Sequence, residues 1–218
     1  MKTVILTIPR LITEAKSFAL AESQHMEKSL FGITDGKAVG TYLEHKFQDA
    51  LSRKYVYVRG SSASGIDFPD LGVDIKTTSI TQPQSSCPFK SARQKVYGLG
   101  YNLLVFVYEK TDDRKSKTAT LNILNVIFVE SQHTADFQTT SGLLKILDNQ
   151  GNKDDVMAFL NDRNLPLDTI QASQLADEIL ASPPSLGYLT ISNALQWRLQ
   201  YSRVIEKAGT VEGVIKVK

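Results

Sequence analysis

Apolar residues recur at helical spacing from Leu11 to Leu30, with Leu11, Ala15, Phe18, Ala19 and Leu20 in the pattern, and this predicts one or two helices. The turn-rich GITDGK, residues 32–37, precedes a second helix over 37–53, whose stripe is Val39, Leu43, Phe47, Ala50 and Leu51. The pattern then changes period. YVYVRG (55–60) alternates as a strand, SSAS breaks it, and LGVDIKTTSI (71–80) is a second strand. Period two puts Val73 and Ile75 on one face of that strand and Asp74 with Lys76 on the other.

Residues 79–88, SITQPQSSCP, read as a polar loop, and 89–100 as a short helix stopped by Gly98 or Gly100. The apolar run YNLLVFVYEK (101–110) suits the centre of a sheet, and TDDRKSKT turns the chain into another strand over 119–131. GLLKILDN (142–149) closes the region as a helix. This order predicts an α/β fold, a mixed β-sheet flanked by helices. The composition shift at 148–155 sets a boundary between residues 1–151 and 152–218. Beyond it, helices over 154–163, 173–181 and roughly 190–203, followed by the β-like GTVEGVIKVK, have the outline of a winged helix.

Composition narrows the class only a little. The chain has 218 residues, 42% hydrophobic and 22% charged, with a net charge of +2, so any polyanion partner must be held by local patches. The start MKTVILTI resembles a signal peptide, but Pro9 and Arg10 interrupt it and no cleavage pattern follows. No stretch approaches the roughly 20 apolar residues of a membrane span. Cys87 is the only cysteine, which excludes an internal disulfide and a cysteine-based zinc cage. A reducing cytoplasm and no membrane partner are expected.

The chemistry gathers in GIDFPDLGVDIKTTS, residues 65–79, where Asp67, Asp70 and Asp74 accompany Lys76 in a β-like stretch. One reading is a solvated turn followed by an edge strand. The other is a metal site: FPDLG bends the chain so that Asp67 and Asp74 converge. Mg²⁺ is held by one or two carboxylates plus water and phosphate oxygens, and the Ile75 carbonyl can add a ligand. Lys76 can steady an attacking water or developing phosphorane charge. Asp70 is read as a turn residue, and His25, His45 and His133 lack metal-ligand spacing.

The spacing of Asp67, Asp74 and Lys76 is that of the PD-(D/E)XK nuclease signature. DFPDLGVDIKT resembles the corresponding segment of the MutH mismatch-repair endonuclease and related type II restriction endonucleases, and GKAVGTYLEHKF (36–47) resembles that family's helix with VGxxLE. The resemblance implies a restriction-endonuclease-like core in which Glu44, Asp67, Asp74 and Lys76 are catalytic. Glu44, Asp67, Asp74 and Ile75 then surround Mg²⁺, and cleavage leaves a 5′-phosphate. The second acid here is aspartate where that family has glutamate, and residues 152–218 match nothing in the mismatch enzyme.

The function expected is sequence-specific cleavage of double-stranded DNA by a homodimeric type II restriction enzyme. A MutH-like nicking repair enzyme and a DNA-binding regulator with a non-catalytic nuclease-like core are the alternatives. DNA contacts are expected from Lys90, Arg93, Gln94 and Lys95. On the third C-terminal helix, Ser192, Asn193, Gln196 and Gln200 would face the major groove, with Arg198, Arg203 and Lys207 meeting phosphates and Leu195, Leu199 and Val204 facing the core. That region is slightly net negative, so a winged helix used for protein contacts is the competing reading.

Overall fold

The computed structural model describes residues 4–60, 65–87, 90–192 and 197–218. They form two compact units that interleave along the chain. The first comprises residues 1–85, 103–129 and 207–218, the second residues 86–102 and 130–206. This partition differs from the expected cut after residue 151, because the chain leaves the first unit and returns to it twice.

In the first unit, β1 (Val4–Ile5) pairs in parallel with β3 (Tyr55–Val56). Helix α1 (Ile8–Glu22) and helix α2 (Gly36–Ser52) flank a five-stranded sheet. The sheet runs in the order β10 (Val214–Lys216), β7 (Thr118–Val129), β6 (Asn102–Asp113), β4 (Val73–Ser79), with β2 (Met26–Glu27) also on β7. The apolar run read as a central strand is β6. It lies between two neighbours and is fully buried from Leu103 to Val107.

Helix α1 packs on β7 and α2 on β4. The stripe Val39, Leu43, Phe47 and Leu51 is buried, and Phe47 meets Phe18 and Phe106 at ring-centroid distances of 5.0 and 5.3 Å. Burying aromatic rings of this size contributes roughly 1.5–3 kcal/mol each, so α2 is firmly set against the sheet. Gly40, Glu44 and Gln48 form the next ridge round the helix, four residues apart.

In the second unit, α3 (Arg93–Tyr97), α4 (Phe137–Asp148), α5 (Lys153–Asp162) and α6 (Thr169–Ala181) pack in succession. Val96, Leu143, Val156, Leu160 and Ile179 form their core. Asp136, Asn152 and Asp168 cap α4, α5 and α6, the latter two through capping boxes.

Among the described residues the winged-helix outline is not found. Among those of the expected helix over 190–203, β8 (Thr190–Ile191) and β9 (Trp197–Gln200) pair antiparallel, and helix starts only with α7, Ser202–Lys207. QSSC within the expected loop is strand β5 (Gln84–Cys87), which completes the sheet β5-β9-β8. The C-terminal tail is no wing either, because β10 pairs with β7 through Val214–Val129, Ile215–Phe128 and Lys216–Ile127.

Candidate active site

The FPDLG bend is closed by its own backbone. Phe68 N–H donates to Val73 O at 2.9 Å and Val73 N–H to Phe68 O at 3.2 Å, around a 3-10 turn over Pro69–Leu71. Gly72 completes the reversal with φ of 59°, a left-handed value that glycine adopts without strain. Phe68, 1% exposed, anchors the bend against Tyr57, with ring centroids 5.3 Å apart. Asp70 is exposed at the tip, as its reading as a turn residue expected.

The bend delivers Asp67 to the strand carrying the second acid. Asp67 Oδ2 accepts the Ile75 N–H at 2.8 Å, and its Oδ1 accepts Gln48 Nε2 from α2 at 3.0 Å. Asp74 is 4% exposed, and the neighbouring Asp67 carboxylate acts on its charge. Lys76 Nζ lies 2.7 Å from Asp74 Oδ2, an ion pair by distance, but the angles are poor and Oδ2 has no aligned hydrogen-bond donor.

The electrostatics follow from this crowding. Burial pushes Asp74 up to about 6; Lys76 works against the shift, while the Asp67 carboxylate adds to it. Burial likewise pushes Glu44 up to about 7, with the Asp67 and Asp74 charges adding and Lys76 opposing. Burial works against the charge on Lys76, but Asp74 foremost, then Glu44 and Asp67, more than compensate, so its pKa is raised. The site is therefore a cluster of three acids and one amine, with Asp74 buried and the others half-buried, short of cationic charge.

These residues fit a divalent cation by an observation of this structure: a buried carboxylate oxygen on Asp74 lacks an aligned donor beside a second carboxylate. Among the described residues no three His, Cys, Asp or Glu side chains are close enough to enclose a metal ion. The arrangement is thus an Asp67–Asp74 pair, with Glu44 in electrostatic range rather than in a closed cage. One strand residue directs its N–H and C=O to the same edge, so the Ile75 carbonyl faces the side on which Asp67 sits.

Sequence reasoning missed Gln48. Its signal was its position one turn after Glu44 on the same helix face.

The expected DNA-contacting residues are dispersed differently from the reading. Lys90 is exposed ahead of α3. The Arg93 guanidinium forks onto the Glu178 carboxylate and stacks on Tyr97 at 4.5 Å. Gln94 Nε2 donates to Leu99 O at 3.0 Å, fastening the end of α3. Lys95, expected to contact DNA, is 4% exposed. Ser192 Oγ accepts the Arg198 N–H at 2.9 Å, and Arg198 and Gln200 share the exposed face of β9. Arg203 stacks over Phe137 at 3.7 Å, and Lys207 closes α7. Asn193, Leu195 and Gln196 lie outside the described residues. His133 is structural, its Nδ1 lying 2.8 Å from Leu186 O.

Comparison with known proteins identifies the class. Residues 5–216 match the family of the type II restriction enzyme NspV. The type II restriction enzyme NspV of Nostoc sp. (strain ATCC 29411 / PCC 7524) is 63% identical over 213 residues, 98% of this chain and 97% of that protein. The crystal structure of tetrameric restriction endonuclease SfiI bound to cognate DNA aligns with a TM-score of 0.43 at 11% identity, over 94% of this chain and 79% of that one. The protein is a type II restriction endonuclease. It belongs to the NspV family, which sets it with restriction enzymes rather than with nicking repair nucleases or non-cutting regulators. Among the described residues, no helix is long and apolar enough to cross a membrane.

Proposed function

We propose that this restriction endonuclease hydrolyses double-stranded DNA at a specific sequence through Asp67, Asp74, Lys76 and Glu44. The observation that carries the reading is the buried Asp74 beside the half-buried Asp67, with Lys76 Nζ 2.7 Å from Asp74. Asp67 and Asp74, with the Ile75 carbonyl, would hold Mg²⁺, the divalent ion best suited to a small oxygen set completed by water and phosphate. When bound, the ion supplies charge neutralisation at the phosphate and a more acidic water.

The remaining work belongs to the side chains. Lys76, its charge favoured by three surrounding acids, orients the attacking water and stabilises negative charge developing on the phosphate. Glu44, with its pKa near neutrality, is suited to take or return a proton at that water. Gln48 holds Asp67 in the orientation the pair requires. Cutting both strands at one site calls for two such centres, and a homodimer is the simplest symmetric way to supply them.

The test is incubation of the purified protein with unmethylated phage DNA and Mg²⁺, followed by sequencing of fragment ends. Discrete fragments ending in 5′-phosphate at one sequence are expected. A smear of random ends would contradict sequence specificity, and intact DNA would contradict the catalytic assignment.

A further inference from the structure

We propose that Thr77 is a positioning residue of the catalytic site, its hydroxyl donating to the Glu44 carboxylate in the reacting complex. The inference rests on the reading of Glu44 as part of that site and adds the group that holds it.

Thr77 stands where the strand pattern calls for a methyl group. Period two places it on the face of β4 that also carries Val73 and Ile75, both buried in the same core cluster as Leu43 and Phe47 of α2. Thr77 is half-buried, but its Oγ1 is buried and, among the described residues, has no hydrogen-bond partner. The next residue is satisfied: Thr78 Oγ1 lies 3.2 Å from both Gln82 O and Gln84 O, to which it donates. An orphaned buried hydroxyl costs stability that a valine of nearly the same shape would not. Such a group points to a partner met only in another state of the site.

Glu44 has the matching deficiency. Asp67 is held by Gln48 Nε2 and the Ile75 N–H, and Asp74 by its ion pair with Lys76. On the Glu44 carboxyl only burial and the neighbouring charges act; among the described residues no hydrogen bond orients it. The two groups flank one point on α2. A Cβ built on Gly40 would lie 3.8 Å from Thr77 Cβ and 3.9 Å from Glu44 Oε1. Glycine leaves that space open, so side-chain rotation brings hydroxyl and carboxylate together over bare helix backbone. Gly40, too, is a poorer choice for stability than alanine inside a helix. A reacting acid needs one fixed orientation, and a neighbouring donor supplies it.

The experiment compares the full-length wild type with Thr77→Val, Thr77→Ser, Glu44→Ala and the Thr77→Val/Glu44→Ala double variant. Each is measured by metal-free thermal melts and by single-turnover cleavage, at saturating Mg²⁺, of a duplex carrying the cleavage sequence. Thr77→Val should melt no lower than wild type yet cut about tenfold more slowly. Thr77→Ser, which keeps the hydroxyl, should cut at close to the wild-type rate. In the Glu44→Ala background Thr77→Val should cost nothing further, because it acts through that side chain. The inference is overturned by Thr77→Val cutting at the wild-type rate, by Thr77→Ser as slow as Thr77→Val, or by an equal fractional loss in both backgrounds. A slowing that only tracks a lower melting temperature overturns it as well. These results leave the Glu44 reading intact where Glu44→Ala cuts slowly, whereas Glu44→Ala cutting at the wild-type rate overturns both.

Discussion

Asp67 Oδ2 accepts the Ile75 N–H at 2.8 Å, and this bond ties the first acid of the bend to the strand that bears the second. The segment before the bend is set by a close approach: Gly60 N–H donates to Asp67 O at 2.8 Å, and a Cβ at Gly60 would fall 1.7 Å from Ile66 O. Gly60→Ala must therefore push Asp67 away from Ile75. A loss of about 1–3 kcal/mol of stability is expected, with a cleavage rate at least about tenfold lower. Thermal melts and single-turnover kinetics check this, and a variant as fast as wild type would show that the approach does not position Asp67.

Gln48 has no direct chemistry in this account and acts through Asp67. Gln48→Leu removes the Nε2 donor to Asp67 Oδ1, and loss of such a supporting partner typically costs about 10–100-fold in metal affinity or activity. Titrating Mg²⁺ against the cleavage rate separates the two roles. A positioning residue raises the Mg²⁺ concentration needed for half-maximal rate, whereas a purely structural one lowers stability and leaves that midpoint unmoved.

Glu44 makes stability depend on pH in a defined direction. Its pKa is about 7 in the folded protein, above the ordinary glutamate value. As pH rises through about 4.5 to 7 the unfolded chain releases this proton first, so the stability it contributes at low pH is lost across that window. Glu44→Gln removes the penalty. The metal-free variant should be more stable than wild type at pH 8, by an amount of order 2 kcal/mol, with the gain shrinking towards pH 4–5. Denaturant melts at several pH values check the sign, and destabilisation at pH 8 would contradict it.

Asp74 has a pKa of about 6 without metal, and a divalent ion binds its ionised form. Mg²⁺ binding should therefore release protons at pH 6, and its apparent affinity should rise with pH and level off above about 7. Calorimetry in buffers of different ionisation enthalpy measures the release. Affinity independent of pH from 6 to 8 would exclude Asp74 as a ligand of the ion.

Much of the first unit was legible because its signals are local. The stripe Val39, Leu43, Phe47 and Leu51 has a helical period and is buried as read. The alternation through Val73, Asp74, Ile75 and Lys76 gave both the strand and the shared face of acid and amine. What failed depended on distant partners. QSSC is too polar to read as a strand, and WRLQ too short to separate strand from helix; each becomes a strand only by joining the sheet β5-β9-β8. The tail looked like a wing because nothing local reveals that Val214 lies opposite Val129. The burial of Lys95 was not legible because no local pattern reveals Asp136 and Trp197 near it.

The most direct test is Asp74→Ala, measured for Mg²⁺-dependent cleavage and, separately, for duplex binding without metal. Because Asp74 is a buried acid crowded by Asp67, the variant should fold and bind DNA as wild type does, while its cleavage rate falls by more than about a thousandfold. Cutting at the wild-type rate would contradict the assignment of this acid pair as the centre of the reaction.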